Sequence, residues 1–314
     1  MVEKHLTVTD FADLFGTAST SLPSDIQDRI HARSWRYRPL DREERDKVIL
    51  GLLQRVERRD FSIVENRDKS RWEKGWAENL CAFEESDGDL AALAPKYWKE
   101  GLPLRLWGDF VMPLDPDFEP DWFRIFTQWY FSTYLSGFET ILEFGSGSGI
   151  NVPTLAAMFP ETRVVGLDWA QSAVDIVNGL RRHFGDRVEG RPFDFFEPDY
   201  DLDILPGSAI LTVGAIEQTG TEFAPFLNFL LEKRPSRVVH IEPIIEWYDP
   251  GNLVDYTGIR SQEVRNFLKG YPEALNDLER QGRIRILKTK RANFGSIAHE
   301  GYSQIIWEPV FSGS

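Results

Sequence analysis

Residues 143–149, Glu-Phe-Gly-Ser-Gly-Ser-Gly, place a carboxylate two residues before the first of three glycines at alternate positions. Glycine is needed where a backbone turns tightly and where a ligand must lie against it. An apolar strand precedes this segment, and residues 151–159 after it have the pattern of a helix. The free N–H groups at the start of that helix would point towards the turn. The segment therefore predicts a cofactor-binding loop of the nucleotide type.

The spacing of the glycines separates two classes of cofactor. Gly145, Gly147 and Gly149 read G-x-G-x-G, whereas the dinucleotide fingerprint reads G-x-G-x-x-G. The carboxylate of Glu143 would repel a pyrophosphate, but it would favour the cationic amino-acid end of S-adenosylmethionine. The spacing therefore favours S-adenosylmethionine, with a ligand-free glycine-rich turn as the alternative.

The acid and the G-x-G-x-G segment resemble the first motif of the class I S-adenosylmethionine-dependent methyltransferases, and Gly-Ala-Ile-Glu-Gln at 214–218 is similar to their small-molecule branch. The resemblance covers roughly residues 120–314. An acid that ends the second strand about twenty residues after the glycines is placed to hold a ribose diol. The resemblance implies that an acid after the third strand accepts from the adenine amino group, although a solvated loop acid is the alternative there. The predicted cofactor-binding residues are Glu143, Gly145, Ser146, Gly147, Gly149, Asp168, Trp169, Asp194, Phe195 and Gly214.

Strand and helix patterns alternate through this region, which predicts an α/β fold with a doubly wound, mostly parallel sheet. The resemblance implies a Rossmann-like sheet of seven strands whose last strand is antiparallel. The predicted strands are 141–144, 163–168, 187–192, 209–213, 238–242, 285–290 and 303–309. The predicted helices are 151–159, 170–184, 222–233 and 262–281, the last kinked or divided at Pro272.

Residues 1–119 differ in character and predict a helical N-terminal extension before the methyltransferase-like domain at 120–314. A charged helix is predicted at 41–58, an irregular connection at 101–117 and a helix beginning near Pro120. Trp72 and Trp76 lie one helical turn apart, so both can face the same neighbour. Aromatic side chains of this extension either pack in the core or cover the cofactor and form part of an acceptor pocket.

The predicted topology brings three loops, 214–220, 242–250 and 291–301, to the carboxyl edge of the sheet beside the glycines. Methyl transfer to oxygen or nitrogen requires alignment of the acceptor and removal of a proton. His299 is the first candidate base, because imidazole titrates near working pH; Glu217, Glu242 and Tyr302 are the other catalytic candidates. Tyr248 and Arg291 are candidate substrate-binding residues, although Arg291 could instead form a salt bridge at the sheet edge.

Composition limits the partners. The chain of 314 residues has a net charge of −14, which disfavours nucleic acid and anionic lipid as partners. One cysteine and no long apolar run predict a cytoplasmic protein without internal disulfides or membrane spans. No metal-ligand spacing is present, so no metal is predicted, and the oligomeric state is left undetermined. The predicted function is methylation of a small polar metabolite. The alternatives are methylation of a peptide or protein side chain, a non-catalytic cofactor-binding subunit and a nicotinamide oxidoreductase.

Overall fold

The computed structural model describes residues 2–61, 69–96, 98 and 101–310. The strands in these ranges are β1 (Lys4–His5), β2 (Arg36–Pro39), β3 (Leu104–Leu106), β4 (Asp109–Pro113), β5 (Thr140–Phe144), β6 (Arg163–Asp168), β7 (Val188–Pro192), β8 (Ser208–Val213), β9 (Arg237–Glu242), β10 (Ile284–Lys290), β11 (Phe294–Gly295) and β12 (Ser303–Pro309).

The helices are α1 (Val8–Phe15), α2 (Ser24–His31), α3 (Arg42–Glu57), α4 (Lys69–Glu85), α5 (Phe118–Tyr134), α6 (Asn151–Met158), α7 (Gln171–Gly179), α8 (Arg181–Phe184), α9 (Ala224–Lys233), α10 (Leu253–Arg265) and α11 (Tyr271–Arg280). Short 3-10 turns lie at Ser19–Ser21, Leu90–Leu93, Gly185–Arg187, Ile216–Thr219 and Ile245–Trp247.

The large sheet has seven strands in the order β10-β12-β9-β8-β5-β6-β7. The five strands β9-β8-β5-β6-β7 are parallel to their neighbours. Strand β12 pairs antiparallel with both β9 and β10. This arrangement confirms the α/β class, the seven strands and the antiparallel last strand. The parallel strands present their carboxyl ends at one edge, where a ligand-binding crevice forms in open α/β sheets.

The two faces of the large sheet bury different helices because side chains alternate along each strand. Ile141 packs in a cluster with aromatic residues of α5 and with α6 and α7. Leu142, the next residue, packs in a cluster with α9 and α11 on the other face. The aromatic stripe of α5 therefore lies in the core, as one of the two sequence interpretations held.

A second sheet, in the order β1-β2-β4-β3-β11, was not predicted. The prediction of an irregular connection at 101–117 is wrong for β3 and β4, which form an antiparallel hairpin. Trp107 and Gly108 join them and both have positive φ, as a two-residue hairpin turn requires. The prolines in this segment favoured the prediction of an irregular connection over a hairpin. The short strand β11, from the C-terminal part of the chain, pairs antiparallel with β3 at the edge of this hairpin.

Two predicted helices are divided. The predicted helix at 262–281 is interrupted at residues 266–270, where Asn266 and Gly270 adopt left-handed backbone conformations. Pro272 does not mark the break; it lies in the first turn of α11, where its missing N–H costs no hydrogen bond. The predicted helix at 170–184 likewise forms the two helices α7 and α8.

Candidate active site

The glycine loop joins β5 to α6 at the carboxyl edge of the large sheet. Gly145, Gly147 and Gly149 have φ values of 74°, 52° and 72°, which other L residues rarely adopt. A Cβ at Gly145 would lie 2.4 Å from the Cβ of Ala215, so a larger residue cannot fit there. The N–H groups of Gly145 and Ser146 donate to the carbonyl of Leu167, which fixes the loop against β6.

Glu143 is the penultimate residue of β5, beneath this loop, with only 1% of its surface exposed. Its Oε1 accepts a hydrogen bond of 2.7 Å from Nδ2 of Asn151, at the start of α6. Its Oε2 and the nearby Oγ of Ser146 are buried with no hydrogen-bond partner among the described residues. Burial raises the pKa of Glu143 to about 8, against the Asn151 hydrogen bond that lowers it. A cationic donor at Oε2 would supply the interaction that this carboxylate lacks.

The two other predicted acids lie at the ends of the next strands. Asp168 Oδ2 accepts from the N–H of Gly147, and its Oδ1 accepts from the N–H of Ala170, both at 2.9 Å. Burial raises the pKa of Asp168 to about 6, although these hydrogen bonds favour the ionised form. Asp194 Oδ2 forms a 2.7 Å salt bridge with Lys69, whose ammonium also lies over the Trp169 ring.

A narrow cavity of about 60 Å³, which we call the aromatic cavity, brings five predicted cofactor residues together. These residues are Gly145, Asp168, Trp169, Phe195 and Gly214. Its remaining wall consists of Phe193, Phe196, Ala215, Gln218 and Thr219 and of two side chains from α4, Trp72 and Trp76. Glu143, Ser146, Gly147, Gly149 and Asp194 adjoin the cavity through the loop and strand ends but are not among its wall residues.

Helix α4 contributes the outer wall of the aromatic cavity. The indole of Trp76 lies so close to the loop that a Cβ at Gly147 would be 2.8 Å from it. Trp72 stacks on Trp76 with 5.8 Å between ring centroids. The carboxylate of Glu73 accepts from the N–H of Ser172, which anchors α4 to the first turn of α7. The two tryptophans of α4 therefore face the glycine loop, and their covering of a bound cofactor stays a prediction.

Glu242, a predicted catalytic residue, holds the loop after β8. Its carboxylate accepts from the hydroxyl of Thr212 and from the N–H groups of Ala215, Ile216 and Glu217, at 2.7–3.3 Å. Burial raises the pKa of Glu242 to about 7 against these hydrogen bonds. Because four donors surround it, the arrangement gives Glu242 a positioning role for the loop.

Arg265 interacts with both Glu217 and His299, two of the predicted catalytic residues. Arg265 itself was not among the predicted site residues. Gln218, in the wall of the aromatic cavity, donates from its amide to Glu217 Oε1 at 2.6 Å. Burial raises the pKa of Glu217 to about 8, opposed by the charge of Arg265. Arg265 Nη1 lies 3.3 Å from Nδ1 of His299, and its Nε has no hydrogen-bond partner among the described residues.

His299 differs from the expectation for a base near neutral pH. Burial, together with the charges of Arg265 and Arg105, holds the pKa of His299 well below its ordinary value. Its imidazole is therefore neutral at pH 7 and is a weak proton acceptor. The sequence could not show this, because Arg105 and Arg265 approach His299 from distant parts of the chain.

Both predicted substrate-binding residues are engaged inside the protein. All five N–H donors of Arg291 are used, by the carboxylates of Asp255 and Glu300 and by the carbonyl of Trp247. No donor remains for a substrate anion, so the structure gives Arg291 the ion-pair role, with a part-buried guanidinium between two buried carboxylates. The hydroxyl of Tyr248 accepts from the N–H of Glu300 at 2.6 Å, and its ring lies under the Arg291 guanidinium.

Tyr302 lies against α5, where its ring packs on Trp122 and Phe123. Its hydroxyl donates to Glu119 Oε1 at 2.8 Å. Burial raises the pKa of Glu119 to about 7, opposed by the Tyr302 hydrogen bond. Glu119 lies in the first turn of α5, and nothing in its sequence context marked it as different from other helical acids.

Solved structures resemble part of this chain at low sequence identity. No family model matches the chain, and no curated protein matches it. An O-methyltransferase family 2 protein from Planctomyces limnophilus, in complex with apigenin, has a TM-score of 0.44 and 12% identity over 61% of this chain and 59% of its own. Mitomycin 7-O-methyltransferase has a TM-score of 0.42 and 16% identity over 61% and 58%, respectively.

Human N-acetylserotonin methyltransferase, solved with SAM, has a TM-score of 0.40 and 13% identity over 62% of this chain and 57% of its own. The matched region thus spans less than two thirds of each of these proteins. Likeness at this level does not establish a shared activity, so the function is inferred from the residues of this chain.

The helices in the described ranges include none that is both long and apolar enough to cross a membrane.

Proposed function

We propose that this protein binds S-adenosylmethionine and transfers its methyl group to an oxygen or nitrogen atom of a small polar molecule. The observation that carries the proposal is the buried Glu143 carboxylate under a loop of three positive-φ glycines. Its unpartnered Oε2 matches the ammonium of the methionine end in charge and hydrogen-bonding capacity. A pyrophosphate at the same place would meet an uncompensated carboxylate instead.

The other residues of the aromatic cavity would contact the remainder of this cofactor once Trp72 and Trp76 move outward, because about 60 Å³ is less than a small-molecule site occupies. Asp168 can accept from ribose hydroxyls, since its two carboxylate oxygens have about four lone-pair sites and three backbone N–H groups use them. Phe195 and Trp169 offer apolar faces to an adenine ring. Trp72 and Trp76 would close the outer side of the same space. These roles are part of the proposal.

When bound, the cofactor supplies a methyl group on a sulfonium that is already activated for displacement. The protein must therefore align the acceptor and take up its proton. Among the predicted catalytic residues we propose Glu217 for the proton. It adjoins the cavity through Gln218 and its pKa of about 8 lies near working pH, whereas His299 is a weaker acceptor.

Equilibrium dialysis with labelled S-adenosylmethionine and labelled NAD tests the cofactor assignment. We expect S-adenosylmethionine to be retained and NAD not. Gly147→Val should abolish retention because the added side chain meets the Trp76 indole and the residue has a φ of 52°. Retention of NAD alone would refute the proposal and favour an oxidoreductase.

The acceptor class is tested with methyl-labelled cofactor and a cell extract separated into small molecules and macromolecules. We expect label to enter the small-molecule fraction when wild-type protein is added, and not with Gly147→Val. Incorporation into the macromolecular fraction alone would favour a peptide or protein acceptor. Cofactor retention without incorporation into either fraction would favour a non-catalytic binding subunit.

A further inference from the structure

A second and much larger cavity lies on the α5 side of the glycine loop. Its volume is about 890 Å³, within the range of small-molecule sites. The 3-10 turn Leu90–Leu93, the first turns of α5 and the start of α6 form its walls. It shares none of its described wall residues with the aromatic cavity. We call it the Glu119 cavity.

Glu119 is a wall residue whose carboxyl forms no ion pair with any described residue. Its carboxyl is held by the Tyr302 hydroxyl, and burial outweighs that hydrogen bond in setting its pKa at about 7. The two arginines of the wall, Arg33 and Arg124, both form ion pairs with Asp121. A cation that entered the cavity would therefore find an uncompensated, partly ionised carboxyl at Glu119.

Aromatic rings lie beside this carboxyl. Phe123 and Trp98 both line the cavity, with 5.4 Å between their ring centroids. Aromatic faces attract organic cations and also bury apolar groups. The cavity thus combines a part-buried acid with an apolar, aromatic wall.

We propose that the Glu119 cavity binds a small organic amine, with its ammonium group against the Glu119 carboxylate and its apolar body against Phe123 and Trp98. An ammonium supplies both the charge and the hydrogen-bond donors that Glu119 lacks. An organic anion would face the carboxyls of Glu119 and Asp117 in the same wall. The proposal does not depend on the proposed methyl transfer.

The test measures how fast charged thiol reagents modify a cysteine placed in the cavity. Cys81 is the one cysteine of the sequence and is exposed, so it is first replaced by Cys81→Ser. Thr154→Cys then puts a thiol in the cavity wall, and Ser21→Cys puts one on an exposed 3-10 turn as the matched control. The probes are the trimethylammonium-ethyl and sulfonato-ethyl methanethiosulfonates, which carry opposite charges on similar bodies.

We expect the ratio of cationic to anionic reaction rates to be about tenfold higher at Thr154→Cys than at Ser21→Cys. Adding Glu119→Gln should bring that ratio close to the control value, because the amide keeps the Tyr302 hydrogen bond but has no charge. Asp25→Asn, an exposed acid on α2, should leave it unchanged. Thermal unfolding of each variant establishes that it is folded.

Equal ratios at the two cysteines, or a preference for the anionic reagent in the cavity, would overturn the proposal. So would a high ratio that Glu119→Gln leaves intact, because the selectivity would then arise elsewhere. A Thr154→Cys thiol that reacts with neither reagent until the protein is unfolded would show that the cavity is closed to ligands of this size. Failure of cofactor binding would not affect any of these outcomes.

Discussion

Two buried glutamates show how environment divides the roles of chemically identical side chains. Glu143 has an unpartnered oxygen under the glycine loop, whereas Glu242 is surrounded by four donors that hold the loop after β8. Burial raises the pKa of both. The unpartnered oxygen of Glu143 distinguishes the two side chains, since the raised pKa is common to both. It is the reason why the proposal gives Glu143 a ligand-binding role and Glu242 a positioning role.

The first prediction concerns Glu143. Glu143→Gln should weaken S-adenosylhomocysteine binding by about 10- to 100-fold, because a hydrogen bond to a charged group contributes about 1.5–3 kcal/mol. Isothermal titration calorimetry measures the affinity. Methylthioadenosine, which lacks the amino-acid end, should bind the variant and the wild type equally.

Glu139→Gln is the matched control for this change, since Glu139 precedes the same strand at its opposite end and is exposed. It should alter neither affinity. If Glu143→Gln weakened the binding of methylthioadenosine as much as that of S-adenosylhomocysteine, the Glu143 carboxylate would not be the partner of the ammonium group.

The second prediction separates Glu217 from His299. Glu217→Gln should lower methyl incorporation into the small-molecule fraction by about 100-fold, the usual scale of a lost proton acceptor. His299→Ala should lower turnover by a smaller factor, because its imidazole is already neutral and acts through Arg265. Cofactor affinity, measured in parallel, should stay within about twofold of wild type in both.

If His299→Ala lost as much activity as Glu217→Gln or more, His299 rather than Glu217 would be the base. The pH profile gives a second measure. With Glu217 as base, activity in the wild type should rise through the pKa of about 8, and this limb should be absent in Glu217→Gln.

At the scale of elements, α4 is the helix of the N-terminal region whose side chains lie against the glycine loop. Its two tryptophans form the outer wall of the aromatic cavity, and Lys69 at its start pairs with Asp194. Glu73 satisfies a backbone donor in the first turn of α7 that the helix itself cannot satisfy. One helix therefore caps another and closes the cavity, so its anchoring affects both stability and binding.

The third prediction tests this anchoring. Glu73→Ala should lower the free energy of unfolding by about 1 kcal/mol, the usual effect of removing a helix-capping carboxylate. Urea unfolding measures the change. Glu84→Ala, an exposed acid on the same helix, makes the same chemical change without a cap and should have a much smaller effect. Equal losses in both variants would mean that Glu73 does not stabilise the junction.

At the scale of the whole molecule, buried carboxyls link stability to pH. The pKa values of Glu143 and Glu217 are about 8, those of Glu119 and Glu242 about 7, and that of Asp168 about 6. In an unfolded chain these groups titrate at about 4 to 4.5. Between those values the five carboxyls bind more protons in the folded protein than in the unfolded chain. They outnumber His240 and His299, whose lowered pKa values act in the opposite direction, so stability falls as pH rises.

The fourth prediction follows from this linkage. The free energy of unfolding of the ligand-free protein should decrease from pH 5.5 to pH 8.5, as measured by urea denaturation. Glu143→Gln combined with Glu217→Gln should flatten the decrease, because the two highest titrations are removed. Stability that stays constant or rises over this interval would contradict the predicted protonation of these carboxyls.

Much of the fold was predictable because it depends on local pattern. Strands β5, β6 and β8 have continuous apolar runs, and the alternation of strand and helix indicates a doubly wound sheet. The hairpin at β3 and β4 was missed because its strands are short and prolines surround them. The break after α10 was missed because a left-handed Asn266 has no reliable sequence signal, whereas Pro272 gives a misleading one.

The glycine loop is the part of the candidate site that the sequence determined by itself. Glycine spacing, the preceding acid and the positive φ values at the loop depend on residues close together in the chain, so their geometry follows from local chemistry. The tertiary structure alone decided which ionisable side chains have partners. Arg291, Glu242 and His299 changed role because groups distant in sequence satisfy, surround or repel them. Packing also places three further residues at the candidate sites. Arg265 lies at His299, Trp76 in the wall of the aromatic cavity and Glu119 in the wall of the Glu119 cavity.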